Sequence, residues 1–347
     1  MQDPTLLFSY EHTLDMSLRA RTLVVTLGGY IDAGRAQRVL DKHLLHTLSH
    51  RLVGRFDADQ VFDYAGHRPP IVFDKDHFES FHSPEITLRL VEDAAGQPFL
   101  LLSGPEPSLQ WERFAAAIAR IIERFDVKQT VIAQGFPAPA PHTKPILVTM
   151  FGTDPTQLPI GSSLAATFQM SASFTSLLTL RLGEMGHSVI GLSAHVPHYL
   201  AGMEYPAGGL ALLRGIVENT GLNLPVGELG TRAAATDAEI NQTVSGYDEL
   251  RDLIEQLESQ YETMLSERVL PVRPEEIPSA DELGAEFERF LRSLDSGDSP
   301  DTLYTASAHE LKGGSAGSRW WGTTPHSSVR CYVKGNQRTV VIISTDY

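Results

Sequence analysis

The chain has 347 residues, with 28 Lys and Arg against 43 Asp and Glu, a formal net charge of −15 and a single cysteine. One cysteine excludes an intrachain disulfide framework and a thiolate zinc site. The acidic balance argues against nucleic acid, whose binding draws on basic patches, and no apolar run reaches the ~18 residues of a membrane span. No basic stretch followed by an apolar one opens the sequence, so a reducing, cytoplasmic setting is the expectation.

In chain order, Thr22–Leu27 is a β-branched apolar run that ends at Gly28-Gly29. Helical spacing begins after Gly34, with Val39, Leu40, Leu44, Leu45 and Leu48 on one side. Ile86–Val91 and Phe99–Leu102, joined across Asp93-Ala-Ala-Gly96, read as an antiparallel pair. Phe99–Ser103 then leads through Gly104-Pro-Glu-Pro107 into a helix expected from an N-cap at Ser108. Trp111, Phe114, Ala115, Ile118, Ile122 and Phe125 form the core stripe of that helix. Further strands are expected at Thr130–Gln134, Ile146–Phe151 and Ser188–Ala194, with helices around Ser171–Glu184 and from Pro206. This repetition predicts an α/β layer structure with a mostly parallel sheet over residues 1–235. Ligands of such sheets sit outside the carboxyl ends of the strands.

Residues 236–295 form a different, acidic segment. Thr236-x-x-Glu239 has capping-box spacing. Ile240, Val244, Tyr247, Leu250, Ile254, Leu257, Tyr261 and Met264 then repeat at near-heptad intervals, predicting one long amphipathic helix. It packs on its own body or serves as a partner-binding arm. Leu270-Pro-Val-Arg-Pro274 breaks it, and Ser279-x-x-Glu282 starts a shorter helix. Residues 296–347 are rich in Gly, Ser and Thr and are expected to be largely disordered, with one strand at Thr339–Ser344.

Polar residues cluster after the predicted strands. Gly28-Gly-Tyr-Ile-Asp-Ala-Gly34 lies between strand and helix, where backbone N–H groups hold anions. Tyr30 and Ala33 occupy positions that the dinucleotide fingerprint reserves for glycine. Asp32 is a helix cap or a ligand-binding carboxylate. Glu106 sits on a rigid turn, a lone carboxylate without an evident acid–base partner. His142, His195 and His198 follow strands as well. As metal ligands His195 and His198 would need Glu106 or Asp32 beside them, and hydrogen-bonding histidines are the simpler reading. No serine elbow is present, and no cofactor is implied.

Five stretches together carry a resemblance. These are Gly28–Gly34, Asp63-Tyr-Ala-Gly-His-Arg-Pro69, Gly104-Pro-Glu-Pro-Ser-Leu-Gln-Trp111, Pro141-His-Thr-Lys-Pro145, and His195-Val-Pro-His-Tyr-Leu200 followed by Tyr205-Pro206. In order, over roughly residues 20–220, they resemble the proteasome assembly chaperone-2-like family, in particular its actinobacterial members. The resemblance implies a three-layer α/β/α sandwich of phosphorylase/hydrolase-like architecture with a helical C-terminal subdomain. It also implies self-association, with a trimer among the forms, and proteasome subunits or an associated ATPase as partners. The family's docking ending is hydrophobic–Tyr–any, whereas Asp346 stands at the penultimate position here.

Three functional readings follow. One is a non-enzymatic assembly or interaction protein. Another is a homo-oligomeric scaffold, in which Asp63, Tyr64, Arg68, Pro69 and Trp111 only hold the fold and Arg68 pairs with Asp63 or Glu106. The last is a small-molecule binder or enzyme of nucleoside phosphorylase or hydrolase type. Its pocket would comprise Gly28, Gly29, Asp32, Glu106, His142, His195 and His198, with Glu106 and His195 as acid and base.

Overall fold

The run Thr22–Gly28 is buried almost from end to end, as a strand covered on both faces must be. It is a central strand of an eight-stranded sheet, seen in a computed structural model. The structure describes residues 3–12, 17–163, 167 and 169–269, and in the tail 323–324, 327–328, 332–334 and 337–339. The strands are β1 (Phe8–Tyr10), β2 (Thr22–Gly28), β3 (His50–Phe56), β4 (Ile71–Asp74), β5 (His77–Phe81), β6 (Ile86–Glu92), β7 (Pro98–Pro105), β8 (Gln129–Ala138), β9 (Val148–Gly152) and β10 (Val189–Pro197). The helices are α1 (Ala36–Thr47), α2 (Ala58–Val61), α3 (Trp111–Phe125), α4 (Phe174–Glu184), α5 (Pro206–Thr220), α6 (Gly227–Ser245) and α7 (Asp248–Val269).

Eight strands form one mixed sheet in the order β1-β3-β6-β7-β2-β8-β10-β9. The central four, β7, β2, β8 and β10, are parallel, and Leu23 stands in register with Leu100 on one side and Thr130 on the other. The antiparallel strands β6, β3 and β1 extend one edge, and antiparallel β9 closes the other. Alternation along β2 divides the core. Leu23, Val25 and Leu27 pack with Phe114, Ile118 and Ile122 of α3 and Phe174 and Leu178 of α4. Val24 faces the opposite way, with Val39 and Leu40 of α1 and Leu212 and Ile216 of α5. Helices on both faces make this a three-layer α/β/α sandwich.

Several local expectations are corrected. The helix expected from Ser108 begins at Trp111, after Gln110 in a left-handed conformation at φ 57°. Ser108 instead donates its N–H to Val61 O at 2.7 Å, so the end of α2 holds the loop. The edge strand expected at Ile146–Phe151 is Val148–Gly152. The single helix expected from Thr236 is two, α6 and α7, broken at Gly246-Tyr247. Thr236 lies inside α6 and caps nothing. The earlier start was hidden because the buried anchors at that end are Leu229 and Ala233, a sparse apolar signal. The heptad stripe is buried only from Ile254 through Leu257 to Tyr261, while Tyr247 and Leu250 are exposed.

Two compact units divide the chain, residues 1–271 and 272–347. In the second, two-stranded ribbons pair Thr323–Thr324 with Ser327–Ser328 and Tyr332–Lys334 with Gln337–Thr339. The helix expected from Ser279 lies outside the described residues. So do the strand at Thr339–Ser344 beyond its first residue and most of the segment expected to be disordered.

Candidate functional site

Parallel β7, β2, β8 and β10 all end on one rim, so the segments bearing Glu106, Gly28–Gly34, His142 and His198 emerge together, while His195, expected after the strand, lies inside β10 near its end. The rim is nevertheless divided. Gly28, Gly29 and Asp32 line a cavity of about 650 Å³ with Thr26, Arg35, Arg38, Asp41, Gly104, Pro105 and Ala201. His142 lines a separate groove of about 710 Å³ that includes Tyr205, Asp237 and Arg214. Glu106, His195 and His198 line neither.

Glu106 works as a clamp. Its carboxylate accepts the backbone N–H of Tyr30 at 2.9 Å and that of Phe174, the first residue of α4. Its own N–H donates to Gly28 O at 2.9 Å. One negative group therefore joins the loop after β2 to a helix N-terminus, where it is favoured. Gly29 is required by this approach, because a Cβ there would stand 2.5 Å from Glu106 Cβ. Downstream, Gly34 adopts φ 65° against Val196 and Tyr205, a turn that glycine adopts without strain.

Asp32 accepts the N–H of Gln37 at 2.8 Å, a cap-like bond into the start of α1. Burial pushes its carboxyl up to about 6, against the pull of the Gln37 and Arg38 backbone N–H groups. Asp41, three residues beyond Arg38, accepts the Thr26 hydroxyl at 2.5 Å. Burial raises it to about 8; the Thr26 bond and Arg89 oppose that rise, and the nearby Asp32 charge adds to it. Gln37 is 1% exposed, and its Oε1 has no hydrogen-bond partner.

The other half of the rim is a fastening. Buried His142 bonds Tyr199 Oη through Nδ1 at 2.8 Å and Asn241 Oδ1 of α6 through Nε2 at 3.2 Å. Tyr205 Oη donates to Asp237 Oδ1 of α6 at 2.8 Å. Burial raises Tyr199 to about 12, and burial with the Asp237 carboxylate raises Tyr205 further still. Tyr261 of α7 donates to Pro145 O at 2.8 Å, and Lys144 pairs with Glu262 at 2.9 Å. His195 is buried, with Nε2 2.6 Å from Thr149 Oγ1. His198 is exposed, its ring edge-on to Tyr199. Among the described residues no group of three or more His, Cys, Asp or Glu side chains is placed to hold a metal ion.

The five residues expected to hold the fold differ in what they do. Trp111 Nε1 donates to Pro107 O at 2.5 Å, and its ring packs edge-on to Phe174. Tyr64 Oη donates to Asp59 at 2.7 Å, and Asp63 accepts the N–H of Ala65. Pro69 is half-buried. The pairing expected of Arg68 is not made: Glu106 is engaged by backbone, Asp63 by its own turn, and exposed Arg68 has no ion-pair partner among the described residues. Sequence reasoning missed Thr26, Arg35, Gln37, Arg38 and Asp41. The available signal was a threonine late in a mostly apolar strand, opposite a helix with Arg38 and Asp41 three apart.

Comparison with known proteins places this architecture. The PAC2 family model matches residues 26–244. The chain is 34% identical to Rv2714 of Mycobacterium tuberculosis, a protein of unknown function, over 76% of this chain and 90% of that one, with a TM-score of 0.70. A protein of unknown function from Corynebacterium glutamicum is 32% identical over 76% and 99%, with a TM-score of 0.71. The proteasome-assembly chaperone homologue Rv2125 of M. tuberculosis shares the fold at 22% identity over 67% and 99%, with a TM-score of 0.62. No curated protein matches the chain.

Proposed function

The chain belongs to the PAC2 family, and from that membership we propose that it is a non-enzymatic, assembly-chaperone-like interaction protein. It self-associates as a homo-oligomer and handles proteasome subunits or their associated ATPase. The observation that carries this reading is the β4–β5 hairpin. Every residue of both strands is exposed, and Ile71, Phe73, Phe78 and Phe81 are each more than half exposed. A two-stranded ribbon is marginal by itself in water, and apolar residues gathered on one mark an interaction surface. The partner class comes from relatives, of which Rv2125 bears the name of a proteasome-assembly chaperone homologue. The state of the rim supports the reading too. Glu106 and His142 are engaged in bonds that join loops and helices, and buried His195 is bonded to Thr149.

Sedimentation velocity tests the self-association. Wild type at micromolar concentration sediments above the 38.1 kDa monomer, and Phe73→Asp with Phe78→Asp returns it to monomer while keeping a cooperative unfolding transition. A wild-type monomer, or an oligomer indifferent to both charges, contradicts the role given to the hairpin.

A further inference from the structure

The eight-stranded sheet ends at β9 with an open edge. His195 donates its N–H to Leu147 O at 2.8 Å, and Val148 stands opposite Ala194 one step further on. Alternation along an antiparallel ladder therefore turns the N–H and C=O of Val148 away from β10. Met150, two residues on, shows the same outward direction by donating its N–H to Ser162 O at 2.8 Å. Val148 has no such cover, and its N–H and C=O have no hydrogen-bond partner among the described residues. Val148 and Met150 pack on the α5 side of the sheet. Beside them on that side lies the groove of about 710 Å³, walled by Leu210 and Ala211 of α5 and Ala234 of α6. An unpaired strand edge is a template for another strand, and side chains of a strand added here would enter that groove.

The β4–β5 hairpin has the complementary need. Ile71 stands opposite Phe81 and Phe73 opposite Phe78, so these four exposed residues share one face. The rings of Phe73 and Phe78 lie 5.2 Å apart. The two strands pair only with each other, which leaves each an outer edge. Asp74 and Asp76 make the turn acidic, while Arg214 on the groove wall is exposed and has no ion-pair partner among the described residues. Within one chain the two features lie apart. The hairpin joins the sheet at β6, five strand positions from β9, which is about 24 Å at the usual strand spacing.

We propose that the hairpin of one copy adds to the β9 edge of a second copy, its apolar face in the α5–α6 groove and its acidic turn towards Arg214. Strand addition satisfies the outward backbone groups of Val148, and the groove covers the four apolar side chains. Packing of hairpin on hairpin would cover those side chains but leave Val148 and the groove open. The contact is heterologous, because each copy gives a hairpin and offers an edge, and repetition around an axis closes a ring. This inference rests on the self-association proposed above and names the surface that receives the hairpin.

Sedimentation velocity of mixed variants of the full chain, at micromolar concentration, is the test. Phe73→Asp with Phe78→Asp disables the hairpin and leaves the edge. Val148→Pro removes the outward N–H, a change that an edge strand tolerates, and leaves the hairpin. Ala234→Glu, at an exposed helix position, puts a charge into the groove and serves the same purpose should Val148→Pro fail to fold. Each variant alone sediments as a monomer. An equimolar mixture of the hairpin variant with either edge variant forms a species of twice the 38.1 kDa monomer and nothing larger, because one intact hairpin meets one intact edge. Oligomeric wild type whose variants stay monomeric when mixed overturns this docking while leaving self-association through the hairpin in place. Edge variants that remain oligomeric, or a hairpin variant held together by β9 alone, overturn it as well. A monomeric wild type overturns both readings.

Discussion

The two halves of the rim begin from the same geometry, loops leaving parallel strands, and end differently. Around β8 and β10 the polar side chains His142, Tyr199, Tyr205 and Asp237 bond one another and so fasten α6 to the body. Around β2 and β7 one residue, Glu106, does the fastening, while Asp32 and Asp41 stay half-buried beside a cavity and Gln37 Oε1 is buried without a hydrogen-bond partner. The difference teaches that position on a sheet rim does not make a side chain available. What counts is whether a later element of the chain has already claimed it.

Substitutions break or sharpen this contrast. The largest effect is expected at Glu106→Ala, which strips the acceptor from two backbone N–H groups and should cost about 2–3 kcal/mol in denaturant unfolding. An unchanged midpoint would mean that Glu106 fastens nothing. Asp41 should act through pH. Its folded carboxyl titrates at about 8, far above an unfolded aspartate, so the native state holds a proton that the unfolded chain has released. Stability therefore falls as pH rises from about 4 to about 8. Asp41→Asn keeps an acceptor for Thr26, removes that loss, and should gain on wild type steadily over the same window. A parallel pH dependence in both proteins would refute the assignment. On the fastened half, Tyr205→Phe removes one buried bond and should cost about 1 kcal/mol, together with weaker hydrogen-exchange protection in α6. Smallest of all is Lys144→Ala. Its partner Glu262 is solvent-exposed, and such pairs contribute little, so the unfolding midpoint should stay where it is. A marked drop would assign the α7 contact to this ion pair in place of Tyr261.

How much of this was legible follows from the kind of signal each element carries. β2 and α3 announce themselves, one as a continuous apolar run and the other as a 3–4 stripe. The layers and the rim follow from them. The hairpin is obscured because Ile71, Val72, Phe73, Phe78 and Phe81 do not alternate cleanly and flank the charged turn Asp74-Lys75-Asp76. Asp32 stood out because it sits beside glycines. Asp41 did not, because between Leu40 and Lys42 it reads as an ordinary helix-surface residue, and only the tertiary approach of Thr26 sets it apart. The rim histidines were visible as residues, but their partners Thr149, Tyr199 and Asn241 are distant in sequence and invisible to local pattern.

The hairpin belongs to neither half of the rim, and the interaction role rests on it. Co-sedimentation of the full chain with proteasome α subunits, with wild type and the Phe73→Asp, Phe78→Asp variant side by side, measures that role most directly. The account predicts a complex with wild type that the variant loses while remaining folded. Absence of any complex with wild type, or a complex that the variant forms equally well, would contradict it.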